Sequence, residues 1–185
     1  MSGMRSVERP VQRDGMISKK LSDAINYQIN REIYSAYLYY SMASYFDATG
    51  LIGCAAWMKS QFQEEMLHAA KMYDYLYERG SRVVMLPIEA PRTLWISPLE
   101  AFEQTLAHEK AVTELINNLV SLAKSEGDAE AEKFLAWYVK EQVEEEETAE
   151  DKVKRFNEAA SDKAKIAKLD EELGQRKFHG KAIGM

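Results

Sequence analysis

Gln63-Glu64-Glu65-Met66-Leu67-His68 lies near the middle of a proline-free segment, residues 51–79. Glu65 and His68 are three residues apart, a separation that puts both side chains on one face of a helix. Met58, Phe62, Ala69, Met72 and Leu76 step along that same line by threes and fours, the spacing of a stripe that packs into a core. A carboxylate and an imidazole therefore interrupt an otherwise apolar seam at half its length. The fold depends on whether other segments do the same.

The breakers define those segments. Gly50, Gly80 and Gly127 stand alone between long proline-free runs, and Pro87, Pro91 and Pro98 fall in one connection. Glycine and proline are the strongest local punctuation, so the segments are about 18–47, 51–79, 98–125 and 129–159, with a shorter one at 161–176. Each long segment would span roughly 45 Å as a helix at about 1.5 Å per residue. Ser97-Pro98-Leu99-Glu100 places a capping serine, a first-turn proline and a glutamate three residues after the cap. Asp128 can cap the fourth segment, and Ser161-Asp162 starts the fifth. The tight connections at Gly50 and Gly127 predict two antiparallel hairpins. The strand-flavoured stretch Arg82-Val83-Val84-Met85-Leu86 belongs to a connection long enough to run the length of a bundle. The expectation is an all-α four-helix bundle of two antiparallel hairpins joined by a long crossover, plus a short C-terminal fifth helix. Residues 1–16 form an N-terminal extension, 17–160 the bundle, and 161–185 the fifth helix and tail.

The other seams are interrupted too. The first helix traces Leu21, Ile25, Gln28, Glu32, Ser35, Tyr39, Met42, Phe46. The third traces Leu99, Phe102, Leu106, Glu109, Thr113, Ile116, Val120, Ala123. The fourth traces Ala131, Leu135, Tyr138, Gln142, Glu145, Ala149. Glu32, Glu65 and Glu109 lie near mid-helix, and Gln142 and Glu145 bracket the middle of the fourth. Mid-helix positions of an antiparallel bundle share one layer, so carboxylates, one amide and His68 converge at half height. Unpaired buried carboxylates are costly, and a cation removes that cost. Oxygen ligands with one imidazole suit iron, manganese or zinc. Glu32, Glu65 and His68 make one site; Glu65, Glu109, Glu145 and Gln142 make a second, with Glu65 as the bridge. One lone mid-helix glutamate would be a solvated residue, but coincidence at one layer on four helices is improbable. Glu64, Glu141 and Glu144 flank the set. Their like charges at helical spacing destabilise a bare helix, which suggests a third metal position, whereas Glu146 and Glu147 read as a solvated run.

Composition narrows the class. The chain has 185 residues, 30 acids and 24 bases, a formal net charge of −6. One domain is expected. The acidic balance argues against a sequence-independent nucleic-acid binder, which needs a basic face. The longest uncharged apolar stretch, Ile33 to Phe46, is too short to cross a membrane. The single cysteine, Cys54, excludes an intrachain disulfide or a cysteine metal cluster and fits a cytoplasmic protein. Met1–Met16 lacks the apolar core of a secretory signal. Setting aside Glu32, Glu64, Glu65, Glu109, Glu141, Glu144 and Glu145 leaves acids and bases nearly equal, so the negative charge is largely that of the inferred metal sites.

Three stretches carry a family resemblance: Asn30-Arg31-Glu32-Ile33-Tyr34-Ser35-Ala36-Tyr37-Leu38-Tyr39, Gln63 to His68, and Phe134-Leu135-Ala136-Trp137-Tyr138-Val139-Lys140-Glu141-Gln142-Val143-Glu144-Glu145. From about Met16 to Arg176 the chain resembles the non-haem ferritins of bacteria and archaea. The resemblance implies a ferroxidase centre with Glu32, Glu65 and His68 at one iron. Glu65, Glu109, Gln142 and Glu145 would serve the other. Glu64, Glu141, Glu144 and Glu145 match an additional iron position, and Tyr39 matches a tyrosine beside the centre, with Trp137 nearby. It also implies oxidation of ferrous iron by dioxygen, and ferric mineral stored in a hollow homo-oligomeric cage, usually of 24 subunits. Met16 resembles a family start.

Met66 occupies the position of a haem-binding methionine in bacterioferritins. Haem is not expected, because Gln142-Val143-Glu144-Glu145 replaces their second Glu-x-x-His, and a packing methionine is the usual case. The rival reading is a non-catalytic helical cage or interaction bundle whose acids are structural. His108 reads as packing or surface, His179 as solvated. Glu126, Asp128, Glu130 and Glu132 at the third turn read as a solvated cap or a guide for cations.

Overall fold

The computed structural model describes residues 16–176. Residues 1–15 of the expected N-terminal extension and the end of the tail, with His179, lie outside the described residues. Five helices follow in order: α1 Lys19–Thr49, α2 Ile52–Glu78, α3 Pro98–Glu126, α4 Ala129–Ala159 and α5 Lys163–Leu173. The four long ones match the expected segments to within a few residues. The fifth is shorter than 161–176, because Asp162 caps it and the chain turns at Gly174.

Local chemistry accounts for the ends. Ser18 Oγ accepts from the Leu21 amide (3.1 Å), Ser97 Oγ from the Glu100 amide (3.1 Å) and Asp128 from the Ala131 amide (3.0 Å). Each such cap contributes about 1 kcal/mol. The Glu100 carboxylate reaches back one residue further than a standard capping box, to the Ile96 amide (2.7 Å). Gly50 and Gly127 close α1 and α3 with φ of 81° and 68°, left-handed conformations that favour glycine. Helix α2 has no capping side chain of its own. Asp170 of α5 supplies one from 116 residues away, accepting from the Cys54 amide at 2.7 Å.

The connection from Gly80 to Ser97 forms no strand. Among the described residues no strand lies beside it, and side chains of α1 pair its backbone instead. Asn26 donates to the Val84 carbonyl and accepts from the Val84 amide, both at 2.7 Å. Asn30 donates to the carbonyls of Leu86 (3.3 Å) and Pro87 (3.0 Å), and Ser41 to that of Arg92 (2.7 Å). Linker and helix therefore ascend together, and the connection crosses the bundle's length as expected. Helix α3 then starts at the end where α2 began.

The expected seams are buried apart from half-buried Phe62 on α2 and Glu145 on α4, and on α3 the line shifts. On α3 the fully buried line is Phe102, Thr105, Glu109, Val112, Ile116, Leu119 and Ala123, while Leu106, Thr113 and Val120 are half-buried flanks. Two apolar cores result. One gathers Leu21, Ile25, Ile29, Met72, Leu76, Ile116 and Leu135. The other gathers Leu38, Met42, Phe46, Trp57, Met58, Phe102 and Phe156. A polar layer containing Gln28, Glu32, Gln61, Glu65, His68, Glu109 and Gln142 is buried with them.

Helix α5 packs on the start of α2 and on α4. Gly53 makes that contact possible: a Cβ there would fall 1.6 Å from the Asp170 carbonyl oxygen.

Candidate metal centre

Helix α1 contributes Glu32, and α2 contributes Glu65 and His68. Their exposures are 1%, 2% and 6%, and one ligand atom from each falls within 4.8 Å of the others. His68 Nδ1 stands 3.5 Å from Glu65 Oε2 and 3.9 Å from Glu32 Oε2. Glu32 Oε1 accepts from Gln28 Nε2 at 2.9 Å. Glu32 Oε2 is the one buried side-chain polar atom among the described residues without a hydrogen-bond partner. A buried acceptor left unmade costs about 1–3 kcal/mol, and a cation bound by Glu32, Glu65 and His68 would remove that cost.

Across the layer, Glu109 of α3 accepts from Tyr39 Oη and from Gln142 Nε2 at 3.2 Å. Gln142 also donates to the Glu109 carbonyl at 3.2 Å. Glu145 of α4 is half-buried and accepts from Gln61 Nε2 at 2.9 Å. These donors satisfy the second set of carboxylates, whose charges still act on Glu65. Glu64 pairs with Arg176 at 2.6 Å. Glu144 is exposed and pairs with Lys140 at 3.3 Å. Glu141 is half-buried, close enough for its charge to act on Lys71.

The layer stores protons. Burial, then repulsion from Glu65, raises the Glu32 pKa to about 8. Burial raises Glu109 to about 7 against the hydrogen bonds from Tyr39 and Gln142. Burial and Glu109 raise Glu145 to about 7. Glu65 is pushed well above the usual carboxylate range by burial and by its neighbours Glu109 and Glu145. Burial and the facing Glu109 push the Tyr39 hydroxyl up in the same way.

The supporting residues differ in how visible they were. Gln28 sits on the inward line four residues before Glu32, so its spacing could have announced its role. Gln61 and Arg176 carried no such signal. Tyr138 donates to the His68 carbonyl at 2.8 Å and steadies that turn of α2. Trp137 stands edge-on to His68, with ring centroids 5.5 Å apart. Its other neighbour is Lys71, whose Nζ lies 3.2 Å from the indole centroid. His108 packs as expected, with Nε2 2.8 Å from Ser35 Oγ; burial and then Arg31 lower its pKa to about 4, so it is neutral. Met66 does not pack within the bundle: it is 40% exposed, one position off the buried face that carries Glu65. The acids of the third turn are largely spoken for. Asp128 takes both terminal nitrogens of Arg79 (2.9 and 3.2 Å), Glu130 lies 3.5 Å from Arg79, and Glu126 accepts from Ser18.

Four long helices enclosing carboxylates and a histidine at mid-height define a helical-bundle protein with a buried metal-binding layer. A model of the ferritin-like domain matches residues 22–159. The chain belongs to the ferritin family. It is 46% identical over 164 residues to the bacterial non-heme ferritin of Bacteroides fragilis, spanning 87% of this chain and 100% of that one. It is 38% identical over 163 residues to the corresponding protein of Staphylococcus saprophyticus, spanning 88% and 98%. Among solved structures, an open-pore ferritin from the hyperthermophilic archaeon Archaeoglobus fulgidus superposes with a TM-score of 0.86. The two are 51% identical, and the match covers 87% of this chain and 99% of that one. The sequence resemblance to prokaryotic non-haem ferritins is thereby borne out.

Proposed function

We propose that this protein stores iron: it oxidises Fe²⁺ with dioxygen and deposits ferric mineral inside a homo-oligomeric cage, the family's 24-subunit shell, in the cytoplasm. The observation that carries this reading is the partnerless Oε2 of Glu32, buried beside Glu65 and His68 between two apolar cores. Burial so incomplete in hydrogen bonding makes sense where a cation completes it.

Glu32, Glu65 and His68 bind the first ferrous ion. Glu65 is shared with a second, which takes Glu109 and Glu145 with Gln142 beside them. Two Fe²⁺ ions give two electrons to one O₂, which takes up two protons and leaves as hydrogen peroxide. Hard carboxylate oxygens favour the ferric product and so the oxidation. Tyr39 holds Glu109 through its hydroxyl. Glu64, Glu141 and Glu144, with Glu145, would receive a further ion on its way out of the centre. The exposed apolar side chains of α1 and the linker, Tyr27, Tyr40, Met85, Leu94 and Ile96 among them, suit a chain that is covered by its own copies.

Aerobic mixing of metal-free protein with Fe²⁺ tests this directly. Oxygen uptake at about one O₂ per two Fe²⁺ is expected in the first turnover, as the electron count requires. Glu65→Ala should slow it at least tenfold (about 1.4 kcal/mol in the barrier). Slow uptake that Glu65→Ala leaves unchanged would favour a helical cage whose acids are structural.

A further inference from the structure

Arg176 follows α5 and lies more than 110 residues along the chain from the side chains it meets. Its guanidinium forks. One terminal nitrogen donates to Gln61 Oε1, the other to Glu64 Oε2 at 2.6 Å. Its carbon lies 4.8 Å from the centroid of Trp57. Gln61 is fully buried, and its amide has only one orientation open to it. Arginine carries donors alone, so the Gln61 oxygen faces Arg176 and the Gln61 nitrogen faces Glu145, where it donates at 2.9 Å. One guanidinium therefore fixes two carboxylates, Glu64 by direct pairing and Glu145 through Gln61.

We propose that Arg176 is a tethered cation that holds Glu64 and Glu145 in the metal-free protein and yields them to arriving metal ions. The proposal rests on the iron-handling reading above. Arginine stays charged at any pH the protein meets. It cannot be neutralised to make room, so an incoming divalent ion must displace it: two cations drawn to Glu64 repel each other at short range. Arg176 is hydrogen-bonded to Gln61 and Glu64 and not to the Glu32–Glu65–His68 cluster, so an ion entering that cluster has no guanidinium to displace. Arg176 is thus a positioning residue that sets the order of filling, first cluster before the Glu64 and Glu145 positions. It touches neither iron nor oxygen.

Calorimetric titration of the intact assembly with Zn²⁺ reads this without turnover. In the native chain the first binding event uses Glu32, Glu65 and His68, and weaker events follow. Arg176→Gln should leave the first event unchanged and tighten the weaker ones about tenfold, within the usual range for coupled sites. Arg176→Lys keeps the charge but loses the fork, and should give a smaller change. A second readout uses the native Arg176: in a Trp95→Phe, Trp137→Phe background, which leaves Trp57 as the sole tryptophan, its emission should change with the weaker Zn²⁺ events as the guanidinium leaves its ring. If the first event is intact and Arg176→Gln leaves the weaker ones unchanged or loosens them, or if Trp57 emission stays constant throughout, Arg176 is no latch. If Zn²⁺ does not bind even to the first cluster, the iron-handling reading fails and this proposal falls with it.

Discussion

Glu32 has one oxygen on Gln28 and the other on nothing, and its pKa rises to about 8 through burial and the nearby Glu65. At neutral pH it is therefore largely protonated until a metal ion arrives, and binding must expel that proton. Zn²⁺ titrations at pH 6.5 in buffers of different ionisation enthalpy should show release of about one proton or more with the first ion. Apparent affinity should climb with pH and level off above about 8. Glu32→Gln separates the roles of shape and charge. Its amide can donate to Glu65, so above pH 8 the metal-free variant should be more stable than the native chain by about 1–3 kcal/mol, measured by denaturant unfolding. First-ion binding should be lost in the same variant. At this scale the sequence was readable wherever a polar residue broke an apolar line: Glu32, Glu65, His68, Glu109 and Gln142 all proved buried. It was silent on Gln61 and Arg176, because their meaning lies in each other, 115 residues apart.

Helix α5 shows how one element serves another. Asp170 lends its side chain to the uncapped start of α2 and its carbonyl to the space above Gly53. Gly53→Ala would drive a methyl group into backbone, which cannot swing aside as a side chain can. The variant should lose about 1–3 kcal/mol and become sensitive to limited proteolysis near Ser161, while α1 to α4 keep their far-ultraviolet signal. The linker is the converse case: its strand-like residues found no strand and are paired by Asn26 and Asn30 instead. Helix boundaries were legible because caps and glycines act within four residues. Where α5 docks, and what pairs the linker, was not, because those partners lie between 51 and 116 residues away.

The whole bundle is two apolar cores clamped around a layer that repels itself when ionised. Glu32, Glu109 and Glu145 have pKa values raised from 4.5 to between about 7 and 8, so the layer binds protons more tightly folded than unfolded. Its contribution to metal-free stability is fully present below pH 4.5 and is lost as pH rises through 7 to 8. The unfolding midpoint of metal-free protein should fall across that window, and the fall should shrink in a Glu32→Gln, Glu109→Gln, Glu145→Gln chain. Bound ions should reverse it, adding about 2.7 kcal/mol at a hundredfold excess over Kd, and a chelator should restore the loss. At this scale the sequence by itself determined the helices, their hairpin order and the height at which carboxylates gather, because helical periodicity and punctuation are local. Only the tertiary structure decided how those carboxylates divide. Glu32, Glu65 and His68 converge, Glu109 and Glu145 are held on Tyr39, Gln142 and Gln61, and Glu64 is held on Arg176. The reason is physical: a charge in a periodic pattern reveals which face it lies on, but its hydrogen-bond partner is chosen by whatever the fold brings within 3 Å or so.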